Sequence, residues 1–240
     1  MTKTLSIDTS STDTHPEGNS RPVTSSQSDV HPGLAALLQR YRDAVFNKPV
    51  ADFNQLAFDR ASEYLCAHGG PLILDSGCGV GDSTRVIARN YPDHLVLGLD
   101  RSEDRLSRQR QPPLPDNAHL IRTDLVDFWR LAAAAEWKPE HHFLLYPNPY
   151  PKPQQLQRRF HGHPVFPHFV TLGGTIHCRS NWLIYLKELA SALALYGVDS
   201  QITPVPNEPA MTPFEQKYRN SGQAVWQLLS APPPDPGDAR

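Results

Sequence analysis

The chain has 240 residues, which is enough for one substantial domain. Its formal net charge is −2, so the overall charge gives no indication of nucleic-acid binding, although a local basic patch would suffice for it. The three cysteines are scattered without a Cys-x-x-Cys pair, which argues against a disulfide framework or a structural zinc site and fits reduced thiols in the cytoplasm.

Both ends of the chain have compositions typical of disorder. Residues 1–31 are rich in Ser, Thr and Asp, and they contain too few large apolar side chains to bury the surface that folding needs. Residues 231–240 include a run of three prolines and are also predicted to be disordered. No signal peptide is predicted, and no apolar run approaches the roughly 18 residues of a membrane span. We therefore expect one folded domain over residues 32–230 in the cytoplasm. The sequence leaves the oligomeric state open, and we favour a monomer.

Between these ends, helical patterns and short apolar runs alternate along the chain. Helices are predicted over 34–45, 53–66, 84–90, 103–110, 126–135, 164–172 and 182–195. Strands are predicted over 72–74, 95–99, 119–122, 142–146 and 175–178, with two more near 199–204 and 224–229. This alternation predicts an α/β fold with a doubly wound, mostly parallel sheet and an antiparallel edge pair.

A glycine-rich loop follows the first predicted strand. Gly77, Gly79 and Gly81 have the spacing Gly-x-Gly-x-Gly, which differs from the dinucleotide spacing, and no phosphate-binding Lys-Ser/Thr pair follows them. Asp75 stands immediately before the loop, and Asp82 and Ser83 are candidate N-caps for the next helix. The stretch predicts a loop that binds a nucleoside-like ligand carrying cationic or hydroxyl groups.

Polar residues follow four successive strands of the predicted sheet. Asp75, Asp100, Asp124 and Asn148 would line one crevice, because ligands of such sheets lie outside the carboxyl ends of the strands. Asp100, with Arg101 beside it, is placed to hold ribose hydroxyls, and Asp124 to meet an adenine amino group. Three acids without a phosphate-binding group favour S-adenosylmethionine as the cofactor.

Four segments give the chain a specific resemblance. They are LILDSGCGVG, FLLYPNPYPK with Arg158 and Arg159 after it, GGTIHCRSNW, and TPFEQKYRNSG. In this order and spacing they resemble the bacterial tRNA (guanine-N7)-methyltransferases, a Rossmann-like class I family that uses S-adenosylmethionine. The resemblance covers about two thirds of the chain, from residue 71 to residue 229.

The resemblance implies both cofactor and tRNA contacts. It implies cofactor contacts at Asp75, Asp100, Asp124 and Asn148, and substrate contacts at Lys152, Arg158, Asn181, Thr212, Phe214 and Glu215. The sequence departs from the family where Asn148 and Tyr150 replace the Asp and Trp of Pro-Asp-Pro-Trp, and where Asn181 replaces an acid. Asn148 is the candidate catalytic residue.

Guanine N7 carries a lone pair and no proton, so methyl transfer to it needs alignment in a dry pocket rather than a general base. Asn148 keeps a hydrogen-bonding carbonyl but lacks the charge that would offset the methylated base. Two alternatives follow. Asn148-Pro149-Tyr150 resembles the motif of amino-group methyltransferases, and the replaced acids fit a non-catalytic paralogue that binds cofactor or RNA.

Further residues near the predicted crevice have two interpretations each. A basic rim for phosphates is predicted from Lys152, Arg158, Arg159, Arg179, Lys217 and Arg219. Tyr150 and Trp182 could stack on a base, although Trp182 also fits a core position. Thr212 and Glu215 match a capping box. The histidines at 141, 142, 161, 163 and 168 lack metal-ligand spacing, so they are predicted to be surface or loop residues and no metal site is expected.

Overall fold

The computed structural model describes residues 18–42 and 44–231, which form a seven-stranded sheet with helices on both faces. The strands are β1 Leu72–Ser76, β2 Leu95–Asp100, β3 Ala118–Arg122, β4 His141–Leu145, β5 Thr175–Ser180, β6 Ser200–Pro204 and β7 Trp226–Ser230. The helices are α1 Leu34–Arg42, α2 Asp52–His68, α3 Asp82–Asn90, α4 Glu103–Leu106, α5 Leu125–Ala134, α6 Phe166–Leu172, α7 Leu183–Ala194 and α8 Pro213–Asn220.

The order of the strands is β3-β2-β1-β4-β5-β7-β6. Strands β1 to β5 are parallel, and β7 pairs antiparallel with both β5 and β6. The predicted α/β sheet is confirmed, with one refinement: β7 is inserted between β5 and β6, so β6 forms the edge. The order reverses between β1 and β4, which is where doubly wound sheets bind their ligands.

The first strand is apolar throughout because both of its faces are covered. Leu72 and Leu74 pack in the larger core cluster with Trp129 of α5, whereas Ile73 packs on the opposite face with Ile87 of α3. This two-residue alternation between clusters is the expected geometry of a strand buried on both sides.

Three segments differ from the predicted helices. The first predicted helix ends at Arg42 instead of residue 45, and the Val45 side chain is 81% exposed. The helix predicted over 103–110 ends at Leu106, and none of its residues is buried, so no apolar face supports a longer helix. Two short 3-10 helices, Pro153–Arg158 and Phe160–Gly162, lie between β4 and α6 and were not predicted.

The segment of residues 18–31 has no helix or strand, but it packs on the domain where disorder was predicted. Gly18 donates to the Asn220 carbonyl at 2.7 Å, and the Gln27 amide and His31 N–H donate to Glu188 of α7 at 2.7 and 3.0 Å. Hydrogen bonds thus hold a segment whose composition offers little apolar burial. The disorder predicted for residues 1–17 and 232–240 lies outside the described residues. Among the described helices, none is long and apolar enough to cross a membrane.

Candidate functional site

A cavity of about 1100 Å³ opens at the carboxyl ends of the central strands, beside the reversal between β1 and β4. Its wall comes from the segments that follow the five parallel strands β1 to β5, and from the start of α8. Most of the predicted site residues line it together: Gly77, Gly79, Asp100, Arg101, Asp124, Asn148, Arg158, Asn181, Thr212 and Phe214. Four do not: Asp75, Gly81, Lys152 and Glu215.

The loop after β1 presents its backbone to the cavity. The N–H groups of Gly77 and Cys78 both donate to the Leu99 carbonyl of β2, at 2.7 and 3.0 Å, which fixes the loop against the neighbouring strand. Gly77 and Gly79 have φ values of 82° and 61°, and a Cβ at either position would meet no atom within 4 Å. These glycines therefore leave open space in which a ligand can approach the main chain.

Gly81 has a packing role instead. It is the N-cap residue of α3 with φ 77°, and a Cβ there would lie 2.9 Å from Arg85 and Leu120 side-chain atoms. The predicted N-cap roles of Asp82 and Ser83 are wrong, because Asp82 is already the first helical residue. The backbone needs a left-handed residue at this position, and glycine supplies it without steric cost.

Asp75 lies behind the loop rather than on the cavity wall. It is 1% exposed, and its Oδ2 accepts hydrogen bonds from Ser83 Oγ at 2.7 Å and Thr84 Oγ1 at 2.6 Å. Burial raises the pKa of Asp75 to about 6, against the opposing effect of these two hydrogen bonds. The carboxyl group thus joins the end of β1 to the first turn of α3 and supports the loop between them.

Asp100 and Asp124 bring carboxylate oxygens to the cavity from two neighbouring strands. Asp100 Oδ2 accepts from the Gly79 N–H at 3.0 Å, and Oδ1 accepts from the Ser102 N–H at 2.8 Å. Asp124 caps α5 by accepting from the Val126 N–H at 2.9 Å, and its other oxygen lies 3.8 Å from Arg101 Nη1. A carboxylate has about four lone-pair sites, so both groups keep capacity for hydroxyl or amino donors of a ligand.

The segment after β4 forms the facing wall. Tyr146 and Tyr150 flank Pro147-Asn148-Pro149. Both tyrosines have left-handed backbone conformations, with φ values of 52° and 42°. Tyr146 N–H donates to the Arg179 carbonyl at 2.8 Å, which fixes the start of the segment. The Asn148 side-chain oxygen lies 3.5 Å from the Tyr150 N–H, at the long limit of a hydrogen bond, so its amide is largely available to a ligand.

Several residues predicted to contact substrate lie near this segment. The Arg158 guanidinium carbon lies 5.1 Å from the centroid of the Tyr150 ring, within cation–π range. Asn181 Nδ2 donates to Gln223 Oε1 at 2.9 Å, and Thr212 Oγ1 accepts from the Glu215 N–H at 3.0 Å. The Thr212 half of the predicted capping box is thus confirmed, whereas the Glu215 carboxylate pairs with Arg179 and Arg219 instead. Phe214 is 47% exposed beside the cavity.

Glu215 is fully buried and paired with Arg179 and Arg219, so its carboxylate does not line the cavity. The predicted basic rim is correspondingly smaller. Arg159 is fully buried against Glu188, and Arg179 is 8% exposed. Carboxylates distant in sequence neutralise these arginines; the exposed members of the rim are Lys152, Arg158 and Lys217.

One further prediction near the site is wrong because the tertiary packing covers the side chains: His142 and His161, predicted at the surface or in loops, are both fully buried. For Trp182 the core interpretation is confirmed, since the side chain is 7% exposed beneath the Arg159 guanidinium and is not placed to stack on a base.

Sequence reasoning missed several cavity residues. Arg105, Arg108 and Arg110 line the cavity from the segment after β2, where a regular helix was predicted. Cys78 and His163 also line it. For Cys78 the position just after β1 was a usable signal, whereas Arg105, Arg108, Arg110 and His163 lie further from the strand ends and carry no such local signal.

Comparisons with known proteins indicate the family of the chain. Residues 69–228 match the family Methyltransf_4, described as "Putative methyltransferase". A tRNA (guanine-N(7)-)-methyltransferase of Burkholderia lata is 28% identical over 169 residues, and the match spans 66% of each chain, just under two thirds of that relative. The enzyme of the same name from Bordetella pertussis is 26% identical over 210 residues, 80% of each chain.

Solved structures share the fold. A variant of the 16S rRNA (adenine(1408)-N(1))-methyltransferase from Catenulisporales acidiphilia, solved with cosubstrate SAM, aligns with a TM-score of 0.52 and 17% identity, covering 75% of this chain and 93% of the other. The 16S rRNA methyltransferase KamB aligns with a TM-score of 0.51 and 16% identity, covering 78% and 96%. At these identities the likeness concerns the fold alone.

The cavity fits S-adenosylmethionine on its own chemistry. Gly77 and Gly79 leave open space beside the main chain, and the carboxylates of Asp100 and Asp124 line the cavity as acceptors suited to hydroxyl and amino donors. The chain therefore belongs to the Methyltransf_4 family of S-adenosylmethionine-dependent methyltransferases, as its resemblance to the bacterial tRNA (guanine-N7)-methyltransferases implied.

Proposed function

We propose that this protein transfers a methyl group to N7 of a guanine in tRNA. The observation that carries the proposal is one continuous cavity with two chemically different walls. Asp100 and Asp124 line it from the segments that follow β2 and β3, and Asn148, Arg158 and Thr212 line it from the segments after β4 and before α8. The curated relatives named above support the choice of tRNA guanine as the substrate.

On the cofactor side, the chain has to hold a nucleoside in one orientation. Asp100 would accept hydrogen bonds from the ribose hydroxyls while its own position is fixed by the Gly79 and Ser102 N–H groups. Asp124 would accept from the adenine amino group. S-adenosylmethionine, when bound, supplies an electrophilic methyl group on its sulfonium.

On the substrate side, the chain has to orient a base without removing a proton, because guanine N7 carries none. The Asn148 carbonyl oxygen would accept from the N–H groups of the guanine edge. Tyr150 is close to Asn148 in the sequence and is partly exposed. Its ring would support the base by stacking. Alignment of N7 with the methyl group is then the main catalytic contribution of these residues.

The exposed cations near the cavity would contact the tRNA backbone. Arg158 lines the cavity, and Lys152 and Lys217 are exposed on the segments that flank it. Such side chains bind phosphates through charge without reading sequence. The net charge of −2 is therefore compatible with RNA binding at one face of the protein.

One feature supports a second candidate, an amino-group methyltransferase. The Asn148 amide is uncharged, is followed by Pro149 and Tyr150, and is largely free of protein partners. An amide and a backbone carbonyl at this position can accept hydrogen bonds from an exocyclic amine. A non-catalytic relative that binds cofactor or RNA is the third possibility, since no carboxylate stands at Asn148 or Asn181.

The experiment is a methyl-transfer assay with purified full-length protein, labelled S-adenosylmethionine and an unmodified tRNA transcript. Digestion to nucleosides is expected to give labelled 7-methylguanosine. A matched transcript containing 7-deazaguanosine, which has carbon in place of N7, is expected to give none. Label in a methylated amine would select the second candidate. Cofactor binding without transfer to either transcript would select the third.

A further inference from the structure

Three metal-ligand side chains come together at the edge of the sheet opposite the cavity. His94 lies just before β2, and Glu140 and His141 lie at the start of β4, at the amino ends of these parallel strands. One ligand atom from each side chain lies within 4.8 Å of the other two. The His94 Nε2 and Glu140 Oε2 atoms are 2.9 Å apart.

The backbone that carries these side chains is fixed. The Asn117 side-chain amide donates to the carbonyls of Tyr91 and His94, at 3.0 and 2.9 Å, which closes the turn before β2. Glu140 N–H donates to the Leu72 carbonyl at 2.8 Å, so this residue is tied to the sheet. The cluster therefore has a rigid frame, which lowers the cost of ordering ligands around an ion.

Neighbouring rings orient the imidazoles. Tyr91 packs against both His94 and His141, with ring centroids 5.2 and 4.8 Å away. The His141 Nδ1 atom is 3.1 Å from His177 Nε2, and the His177 ring stacks on Phe143 at 4.2 Å. In metal sites, a hydrogen bond at the ring nitrogen that does not bind the metal fixes the tautomer and the direction of the histidine. The contact between His141 Nδ1 and His177 Nε2 is of this type.

One imidazole nitrogen of the cluster is left without a partner. The His94 Nδ1 atom is shielded from solvent and has no hydrogen-bond partner among the described residues.

We propose that His94, Glu140 and His141 form a zinc-binding site at the amino edge of the sheet, with His177 as the partner that orients His141. Two imidazoles and one carboxylate are a known zinc-ligand set, and the fourth position would be left to water. Imidazole-rich sites favour zinc, nickel and copper over magnesium or calcium. An ion there would link the turn before β2 to the start of β4, far from the methyl-transfer cavity. The sequence indicated no metal site because residue 94 is 46 positions from residue 140.

The test is zinc titration of metal-free protein by isothermal calorimetry at pH 7.5, without cofactor or RNA. We expect one saturable site in the native chain, weakened about tenfold or more by His94→Ala, by His141→Ala and by Glu140→Gln. Glu140→Gln keeps the shape of an exposed side chain, so it tests the site even where a histidine variant fails to fold. Cobalt(II) is expected to give the visible absorption of a four-coordinate site, and to lose it in the same variants.

Two matched variants serve as controls. His168→Ala removes a histidine of α6, and Cys66→Ser removes an exposed thiol; both are expected to bind zinc as the native chain does. A zinc dissociation constant above about 1 mM for the native protein would overturn the proposal. Equal zinc affinities of the native, His141→Ala and Glu140→Gln proteins would also overturn it. Because no methyl acceptor is present, either outcome is independent of the proposed function.

Discussion

The Arg179 guanidinium lies 3.1 Å from the carboxylate of Glu215, joining the end of β5 to the first turn of α8. Glu215 is fully buried, and Arg179 is 8% exposed. Arg219, four residues further along α8, also pairs with Glu215. This arrangement fixes the helix start that carries Thr212 and Phe214 on the cavity wall.

Replacing Arg179 with Met is expected to destabilise the fold, because Glu215 would remain buried with only part of its charge compensated. The expected loss in the free energy of unfolding is about 3 kcal/mol, the lower end for breaking a buried pair, because Arg219 remains. Urea denaturation measures it. Arg108→Met, which removes an exposed pair with Asp104, is the control and should change stability little. Equal stability of the two variants would contradict the structural role assigned to Arg179.

Asp100→Ala is expected to weaken S-adenosylmethionine binding about tenfold or more. The change would remove the acceptor proposed for the ribose hydroxyls, and it removes the anchor of the Gly79 N–H; a hydrogen bond to a charged group contributes about 1.5–3 kcal/mol. Calorimetric titration with the cofactor measures the effect. Asp104→Ala removes an exposed acid nearby and should bind normally; unchanged affinity in Asp100→Ala would mean that the cofactor lies elsewhere.

Asn148→Asp is expected to increase the rate of 7-methylguanosine formation by about tenfold or more. A carboxylate at this position would offset the positive charge that develops on the methylated base, an effect that is large in a water-poor site. Asn90→Asp adds the same charge at the end of α3 and should leave the rate unchanged. A lower rate in Asn148→Asp would indicate that the amide serves another chemistry, such as amine methylation.

Arg158→Ala is expected to weaken tRNA binding and to reduce the slope of log K against log salt concentration by about 1, as loss of one phosphate contact does. The side chain is exposed at the cavity and is held near Tyr150. Filter binding at several salt concentrations provides both quantities. Arg89→Ala, an exposed arginine of α3, is the matched variant. Parallel salt dependences for native and Arg158→Ala protein would exclude a phosphate contact here.

The stability of the fold is expected to depend on ionised Glu188. Burial opposes its ionisation, but the hydrogen bonds from His161, Gln27 and Arg159, with the charge of His161, lower the pKa of Glu188 to about 2. An acid with a lowered folded-state pKa stabilises the fold above its unfolded value of 4.5 and loses that contribution as the pH falls towards 2.

The measurement for Glu188 is the difference in unfolding free energy between native protein and Glu188→Gln, determined in urea from pH 7 to pH 2.5. We expect a difference of about 3 kcal/mol above pH 5 that narrows below it, since one pKa unit corresponds to about 1.4 kcal/mol. Glu63→Gln, on the exposed face of α2, should show little difference at any pH. A difference for Glu188→Gln that stays constant down to pH 2.5 would contradict the lowered pKa.

The sequence alone determined the order of the strands along the chain, the glycine loop and the positions of Asp100, Asp124 and Asn148. These features depend on neighbouring residues in the sequence. A short apolar run indicates a buried strand, and the glycine and polar residue after it indicate the turn at which that strand ends. For the same reason, the parallel strands and the crevice at their carboxyl ends were predictable from the alternation of elements.

Only the tertiary structure decided which charged side chains face the cavity and which are neutralised. Arg159 and Arg179 read as a basic rim, yet each is buried against an acid from another element, Glu188 and Glu215. Likewise, the Asp75 carboxylate accepts hydrogen bonds from Ser83 and Thr84 behind the loop. His94, before β2, contacts Glu140, before β4, although β1 lies between these strands in the sheet. Burial and ion pairing depend on contacts between residues far apart in sequence, and local patterns carry no information about such contacts.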